Sequence, residues 1–153
     1  IRPLVADYSD DPATYSVDDE LLVGDGLLIA PMTAGQDGRP VYLPAGKWMD
    51  FYTGQPHEGG RAVDFPAGRM PILVREGTIL PLAEPVERLD ETTRFSLTLY
   101  CYGDTAESRF PLIVDDGVSG GAAFRVLPVD ESGRLEENPR YTVAAVRRIG
   151  EPA

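Results

Sequence analysis

Frequent glycine and proline break the chain into short apolar runs, and this pattern excludes a fold built on long helices. The 153 residues include 16 Gly and 14 Pro, the residue types that form turns and end regular structure. From Val41 onward, the short runs between these breaks alternate apolar and polar side chains, as strands with one buried face do. Such spacing is typical of antiparallel β-sandwiches. We therefore predict a mainly β chain.

The candidate strands form two groups separated by a charged linker at residues 83–90. The first group comprises residues 41–43, 48–52, 62–65 and 72–75. The second group comprises residues 95–102, 110–114, 122–129 and 141–149. Two β-units in succession are the expected result.

The first 32 residues have a different texture and predict a strand, a short helix and a second strand. Ile1–Val5 is a short apolar segment, and Tyr15–Leu22 has a helix signature with Ser16 as N-cap and acidic residues in the first turn. Leu27–Ala30 is apolar without alternation, which is typical of a strand buried on both faces of a parallel sheet. This segment is expected to be the tail of an α/β body.

Composition and charge limit the partners. The formal charge of −11 disfavours nucleic acid, because a phosphate backbone would be repelled. No run is long and apolar enough to predict a membrane span, and the first residues lack the pattern of a secretion signal. A single cysteine, Cys101, fits a buried strand position and is typical of a cytoplasmic protein, although a signal peptide before Ile1 stays an open alternative. The sequence leaves the oligomeric state open.

Several motifs in order resemble the C-terminal part of glycoside hydrolase family 31, which contains α-glucosidases and α-xylosidases. The motifs that resemble the end of that family's catalytic barrel are Arg2-Pro3-Leu4, Asp11–Tyr15, Asp18–Gly24 and Leu27–Pro31. Those similar to its proximal β-sandwich are Tyr42-Leu43-Pro44, Trp48–Gly54, Gly59-Gly60 and Met70–Pro81. Val114–Ser119 resembles the acidic turn of the distal β-domain, with Val114 in place of the usual glutamate. Ile1 is not an initiator methionine, so we expect the chain to begin inside a longer protein.

The resemblance implies a domain organisation. Residues 1–32 would be the last strands of a (β/α)8 barrel, residues 33–83 the proximal β-sandwich, and residues 84–153 part of the distal β-domain. The implied fold class is therefore mainly β, with antiparallel β-sandwich domains following a short remnant of a (β/α)8 barrel.

The resemblance also implies a retaining α-glycosidase that removes terminal α-linked glucose or xylose from oligosaccharides or glycosides. Retaining enzymes use a nucleophilic carboxylate and an acid/base carboxyl about 5 to 5.5 Å apart, and in this family both are aspartates on earlier barrel strands. Trp48-Met49-Asp50 mimics the start of the nucleophile motif, but the following residues do not, so Asp50 is not predicted as the nucleophile. We expect no catalytic residue, cofactor or metal site in this chain.

Trp48 and Tyr52 are the candidate sugar contacts, because aromatic rings stack on sugar rings. Strand alternation would put both on one face and Phe51 on the other, so core packing is favoured for at least one face. His57, the only histidine, lacks a partner at a recognisable spacing and is read as a solvated loop residue rather than a general base.

The remaining polar clusters are read as turns and caps. Asp115-Asp116-Gly117 and Gly24-Asp25-Gly26 are expected to be turns, since glycine tolerates positive φ. Asp7, Asp10 and Asp11 lack the ligand spacing of a calcium loop.

Two functions remain open. The chain either packs on a catalytic barrel and supports the loops of a sugar pocket, with no activity alone, or it is an independent carbohydrate-binding sandwich. We expect residues 1–32 to discriminate between the two functions, because a free-standing sandwich has no use for unpaired strands of a parallel sheet. In isolation this segment is expected to be poorly ordered, or held by another chain or by the sandwich.

Overall fold

The computed structural model describes residues 1–88, 92–114 and 125–150, and is almost entirely β. The strands within these residues are β1 (Arg2–Pro3), β2 (Leu21–Val23), β3 (Leu27–Ile29), β4 (Gly38–Leu43), β5 (Lys47–Asp50), β6 (Pro56–Glu58), β7 (Arg61–Pro66), β8 (Ile72–Arg75), β9 (Thr78–Ala83), β10 (Phe95–Tyr102), β11 (Phe110–Val114), β12 (Arg125–Val129) and β13 (Tyr141–Ile149). Two 3-10 helices, Leu4–Ala6 and Pro12–Ser16, lie between β1 and β2. The predicted mainly β, antiparallel fold is confirmed.

The chain divides into two compact units, the first comprising Ile1–Thr78 and the second beginning at Ile79. In the first unit, a six-stranded antiparallel sheet has the order β1-β2-β3-β8-β5-β6, and a two-stranded sheet pairs β4 with β7. Side chains from both sheets form one buried cluster, among them Leu28, Trp48 and Leu73 from the larger sheet and Val41 and Leu43 from the smaller. Two sheets that share one core make this unit a β-sandwich.

A close approach of two backbone segments explains the Gly59-Gly60 pair. The Gly59 N–H donates to the Gly46 carbonyl at 2.7 Å, and the Gly60 N–H donates to the Leu43 carbonyl at 2.7 Å. A Cβ at position 59 would lie 1.9 Å from the Pro44 carbonyl oxygen. Only glycine fits at position 59 while these bonds are kept.

Residues 1–32 depart from the prediction in two ways. The helix predicted at Tyr15–Leu22 is wrong, because the 3-10 helix Pro12–Ser16, capped by Asp11, ends before it and Leu21–Val23 forms a strand. The parallel sheet is also wrong, because β3 lies between β2 and β8 and pairs antiparallel with both. A three-residue turn joins β2 to β3, and so short a link connects only antiparallel strands.

The physical reason for both errors is a long-range pairing. Leu22, Leu28 and Leu73 are successive cross-strand partners, and all three lie in the sandwich core. The stabilisation gained by burying these three leucines outweighs the local preference for a helix that the acidic residues indicate. Residues 1–32 were open to three states: poorly ordered, held by another chain, or held by the sandwich. The structure shows the third.

The second unit contains a three-stranded sheet, β13-β10-β9, and the two-stranded sheet of β11 and β12. β10 and β13 pair in parallel, with an irregularity between Leu97 and Thr98, which is an exception to the predicted antiparallel order. Its core includes Leu97, Leu99 and Cys101, which alternate along β10 as the sequence predicts. The strands predicted at 72–75, 95–102, 110–114 and 141–149 are confirmed, whereas β2, β6 and β9 were missed.

Candidate functional site

A cleft of about 580 Å³ opens in the first unit beside the hairpin of β5 and β6 and the turn that follows β7. Its lining includes Tyr52, Gln55, His57, Asp64 and Arg69. The volume lies within the roughly 300 to 1,000 Å³ typical of small-molecule sites. This cleft combines an aromatic ring with several polar side chains.

Tyr52 presents the aromatic surface of the cleft. It lies just after β5 and is 42% exposed. The Arg69 guanidinium carbon lies 4.4 Å from the centroid of the Tyr52 ring, and the Phe51 ring meets it edge to face at 5.2 Å. These two contacts hold the ring in place, because stacked guanidinium and edge-to-face aromatic pairs are both favourable.

Apart from the Arg69 guanidinium, which stacks on Tyr52, the polar side chains of the cleft are uncommitted within the part of the chain that the structure describes. Gln55, His57, Asp64 and Arg69 make no side-chain hydrogen bond or ion pair with another described residue, and the ring of His57 lies 5.4 Å from that of Phe65. Contrary to the loop predicted for it, His57 belongs to a strand, β6. The hydrogen-bond donors and acceptors of these polar side chains are therefore available to a ligand.

Trp48, the other predicted aromatic contact, is separated from Tyr52. It is 1% exposed, lies in the core cluster, and its indole N–H donates to the Pro44 carbonyl at 2.8 Å. Its ring therefore has no face open to a sugar. The strand ends at Asp50, so the alternation assumed for Tyr52 does not extend to it.

Asp50 closes the turn that positions Tyr52. Its Oδ1 accepts hydrogen bonds from the backbone N–H groups of Tyr52 and Thr53, at 2.9 and 2.7 Å, and from the Thr53 hydroxyl at 2.9 Å. This is the Asx-turn arrangement that favours aspartate at a turn. The structure thus gives Asp50 a local conformational role.

A buried carboxyl, Glu20, lies elsewhere in the first unit. Glu20 is 3% exposed, and its Oε1 accepts from the Tyr42 backbone N–H at 2.8 Å. Its other oxygen, Oε2, is buried and has no hydrogen-bond partner among the described residues. Burial raises the pKa of Glu20 to about 7, although the Tyr42 N–H and the Arg39 charge both lower it.

Arg39 neutralises Glu20 incompletely because its guanidinium is directed elsewhere. Nη2 lies 2.7 Å from the Asp19 carboxylate and 3.6 Å from Glu20 Oε1, while Nη1 donates to the carbonyls of Pro31 and Asp19 at 2.8 and 3.2 Å. The sequence predicts Glu20 in the first turn of a short helix at Tyr15–Leu22. No local sequence pattern indicates that Glu20 is buried. Its burial results from packing against β4, the strand that contains Tyr42.

The aspartates near the first 3-10 helices act as caps and ion-pair partners. Asp11 Oδ1 accepts from the Ala13 N–H at 3.1 Å, and Asp11 Oδ2 accepts from the Tyr42 hydroxyl at 2.6 Å. Asp7 receives two hydrogen bonds from the Arg2 guanidinium, which lowers the pKa of Asp7. The turn predicted at Gly24-Asp25-Gly26 is confirmed, whereas Asp115-Asp116-Gly117 lies outside the described residues.

Within the described ranges, no group of three or more His, Cys, Asp or Glu side chains is placed to hold a metal ion. The same ranges include no helix with the length and apolar character needed to cross a membrane.

The comparisons with known proteins agree on one class, carbohydrate-active enzymes. The model of the glycosyl hydrolase family 31 C-terminal domain matches residues 1–80. Alpha-glucosidase 2 of Bacillus thermoamyloliquefaciens is 36% identical over 121 residues, which cover 76% of this chain and 15% of that protein. The alpha-xylosidase of Saccharolobus solfataricus is 41% identical over 86 residues, 54% of this chain and 12% of that protein.

Solved structures give the same result. The alpha-xylosidase of Xanthomonas citri superposes with a TM-score of 0.79 at 30% identity and covers 99% of this chain, which spans 18% of that enzyme. A Flavobacterium johnsoniae dextranase superposes with a TM-score of 0.76 at 27% identity, covering 84% of this chain and 17% of that enzyme. The chain belongs to glycosyl hydrolase family 31, and the resemblance read from the motifs is confirmed. It spans at most 15% of the two curated relatives.

Proposed function

We propose that this chain is the C-terminal part of a retaining α-glycosidase that hydrolyses terminal α-linked glucose or xylose from oligosaccharides or glycosides. The observation that carries this proposal is the match of residues 1–80 to the family's C-terminal domain. The catalytic aspartates belong to another part of the parent protein, so the isolated chain is inactive. The proposal keeps the domain organisation that the resemblance implies, with residues 1–32 as the tail of the barrel, residues 33–83 as the proximal β-sandwich and residues 84–153 as part of the distal β-domain.

The larger sheet of the first unit supports a packing role. Leu21, Ile29 and Ile72 are cross-strand partners one position away from the core row of Leu22, Leu28 and Leu73. Strand alternation therefore puts them on the opposite face, where they are half-buried. A sheet that is apolar on both faces needs a cover on each. We infer that this second face packs on the catalytic barrel and holds the barrel loops around the sugar pocket.

The sequence-based argument against the alternative, an independent carbohydrate-binding module, does not hold. β1, β2 and β3 are hydrogen-bonded into the sandwich sheet rather than left as unpaired parallel strands. The cleft around Tyr52 is the observation that favours sugar binding, and it is compatible with the glycosidase proposal.

A chimera tests the proposal. The matching segment of Bacillus thermoamyloliquefaciens alpha-glucosidase 2 is replaced by this chain, and hydrolysis of p-nitrophenyl α-glucoside and α-xyloside is measured. We expect the chimera to hydrolyse one of them and the isolated chain to hydrolyse neither. A matched chimera carrying Leu28→Ala should lose activity at elevated temperature first, since Leu28 is fully buried in the supporting sandwich.

Two results would contradict the proposal. Hydrolysis by the isolated, purified chain would show that it contains its own catalytic residues. A folded chimera without activity, beside an active parent enzyme, would show that the chain does not support a family 31 barrel.

A further inference from the structure

We propose that the cleft around Tyr52 is a binding site for a short, neutral α-glucan. Its ligand would be a stretch of two or three α-linked glucose units. The choice of α-linked glucose rests on the proposed function, whereas the assignment of a sugar-binding cleft rests on the geometry described above.

The shape of the cleft fits part of an oligosaccharide. Its volume of about 580 Å³ lies in the range of small-molecule sites. It is open along one side, since Gln55, Asp64 and Arg69 are all exposed. A glycan chain could therefore reach the cleft from solvent.

The chemistry of the lining matches both surfaces of a sugar ring. A glucose unit has an apolar face of C–H groups and a rim of hydroxyls that donate and accept. The Tyr52 ring is 42% exposed and offers an apolar platform held by Arg69 and Phe51. Among the other lining residues, the Gln55 amide and the Asp64 carboxylate supply planar groups suited to paired hydroxyls.

The balance of charge argues for a neutral ligand. The cleft carries the carboxylates of Asp50 and Asp64 against the guanidinium of Arg69, on a chain with a formal charge of −11. An anionic glycan or a phosphate would meet repulsion from the chain as a whole. A neutral glycan pays no such cost and can use both the acidic acceptors and the basic donors.

The competing occupant is a peptide segment of the parent protein that covers the cleft. Such a segment would also bury Tyr52, but it would leave no saturable sugar binding in this chain. Binding measurements on the chain therefore separate the two.

The experiment is a titration of the isotope-labelled 153-residue chain with maltotriose and isomaltotriose, followed by amide chemical shifts. Cellotriose, with β-linkages, is the ligand control. We expect saturable binding of at least one α-linked trisaccharide with a Kd on the order of 1 mM. The shifts should be confined to residues 50–57 and 64–71, the segments that line the cleft.

Matched variants assign the platform. Tyr52→Ala should weaken binding about tenfold or more, because it removes the stacking surface, whereas Tyr52→Phe should stay within about threefold. Tyr15→Ala removes a tyrosine that is 64% exposed away from the cleft and should leave binding unchanged. If Tyr52→Ala fails to fold, saturation transfer from the Tyr52 ring protons to sugar C–H protons in the unchanged chain decides the point.

The outcomes are decisive in both directions. No saturable shifts up to about 20 mM trisaccharide, unchanged binding in folded Tyr52→Ala, or equal loss in Tyr15→Ala would overturn the site. An inactive chimera, together with glucan binding by the chain, would contradict the glycosidase proposal alone. An active chimera, together with no glucan binding, would contradict the proposed binding site alone.

Discussion

Replacing Glu20 by glutamine should make the first unit more stable, and the gain should grow with pH. Glu20 is 3% exposed, with one carboxyl oxygen bonded to the Tyr42 N–H and the other without a partner among the described residues. Arg39 approaches it only to 3.6 Å and also serves Asp19. Asp19 raises the pKa of Glu20 further. The folded protein therefore favours the neutral acid.

The expected size follows from the raised pKa. Burial moves the pKa of Glu20 from an ordinary 4.5 to about 7, and each pKa unit is worth about 1.4 kcal/mol, so the linked free energy is about 3 kcal/mol. Because the folded pKa is the higher one, this stability is fully present below pH 4.5. It is lost as pH rises from there through about 7, where the folded state must also give up the proton.

Urea unfolding at several pH values between about 4.5 and 8 measures the effect, with fluorescence of the single tryptophan, buried Trp48, as the probe. The difference in unfolding free energy between Glu20→Gln and the unchanged chain should increase by about 2 to 3 kcal/mol over that range. The exposed Glu58 gives the matched control, Glu58→Gln, which should show no such trend. A difference that stays constant with pH would refute the assignment of Glu20 as a buried, neutral acid.

Three further predictions concern packing. Leu28→Ala should cost about 3 kcal/mol of unfolding free energy in a urea titration, because Leu28 is 0% exposed. The control Ile113→Ala, at 54% exposure, should cost under about 1 kcal/mol. Equal costs would show that residues 1–32 do not belong to the sandwich core. Gly59→Ala should cost more than Gly35→Ala by at least about 1 kcal/mol, because only at position 59 would the new Cβ meet backbone. Cys101, 0% exposed, should react with a thiol reagent only on unfolding, and rapid labelling of the folded chain would contradict its burial.

The sequence predicted the strands whose signal is local. β8, β10, β11 and β13 carry their own alternation or continuous apolar character and are bounded by turn residues, so each could be read without its neighbours. The family likewise followed from motifs in order. For the candidate site, the sequence pointed to Tyr52 but paired it with Trp48, which the core removes from the surface.

The sequence alone determined that this chain is mainly β, because a period of two and frequent turn residues are properties of short segments. The resemblance to its family likewise lay in short motifs and their order. Tertiary structure alone decided which strands meet: the short β2 and β6 are strands only because a partner stabilises them, and β10 pairs in parallel with β13. It also decided the state of single side chains, since the Glu20 carboxyl is buried beside Tyr42, 22 positions along the chain. Burial and pairing depend on residues far apart in sequence, so their energies are absent from any local pattern.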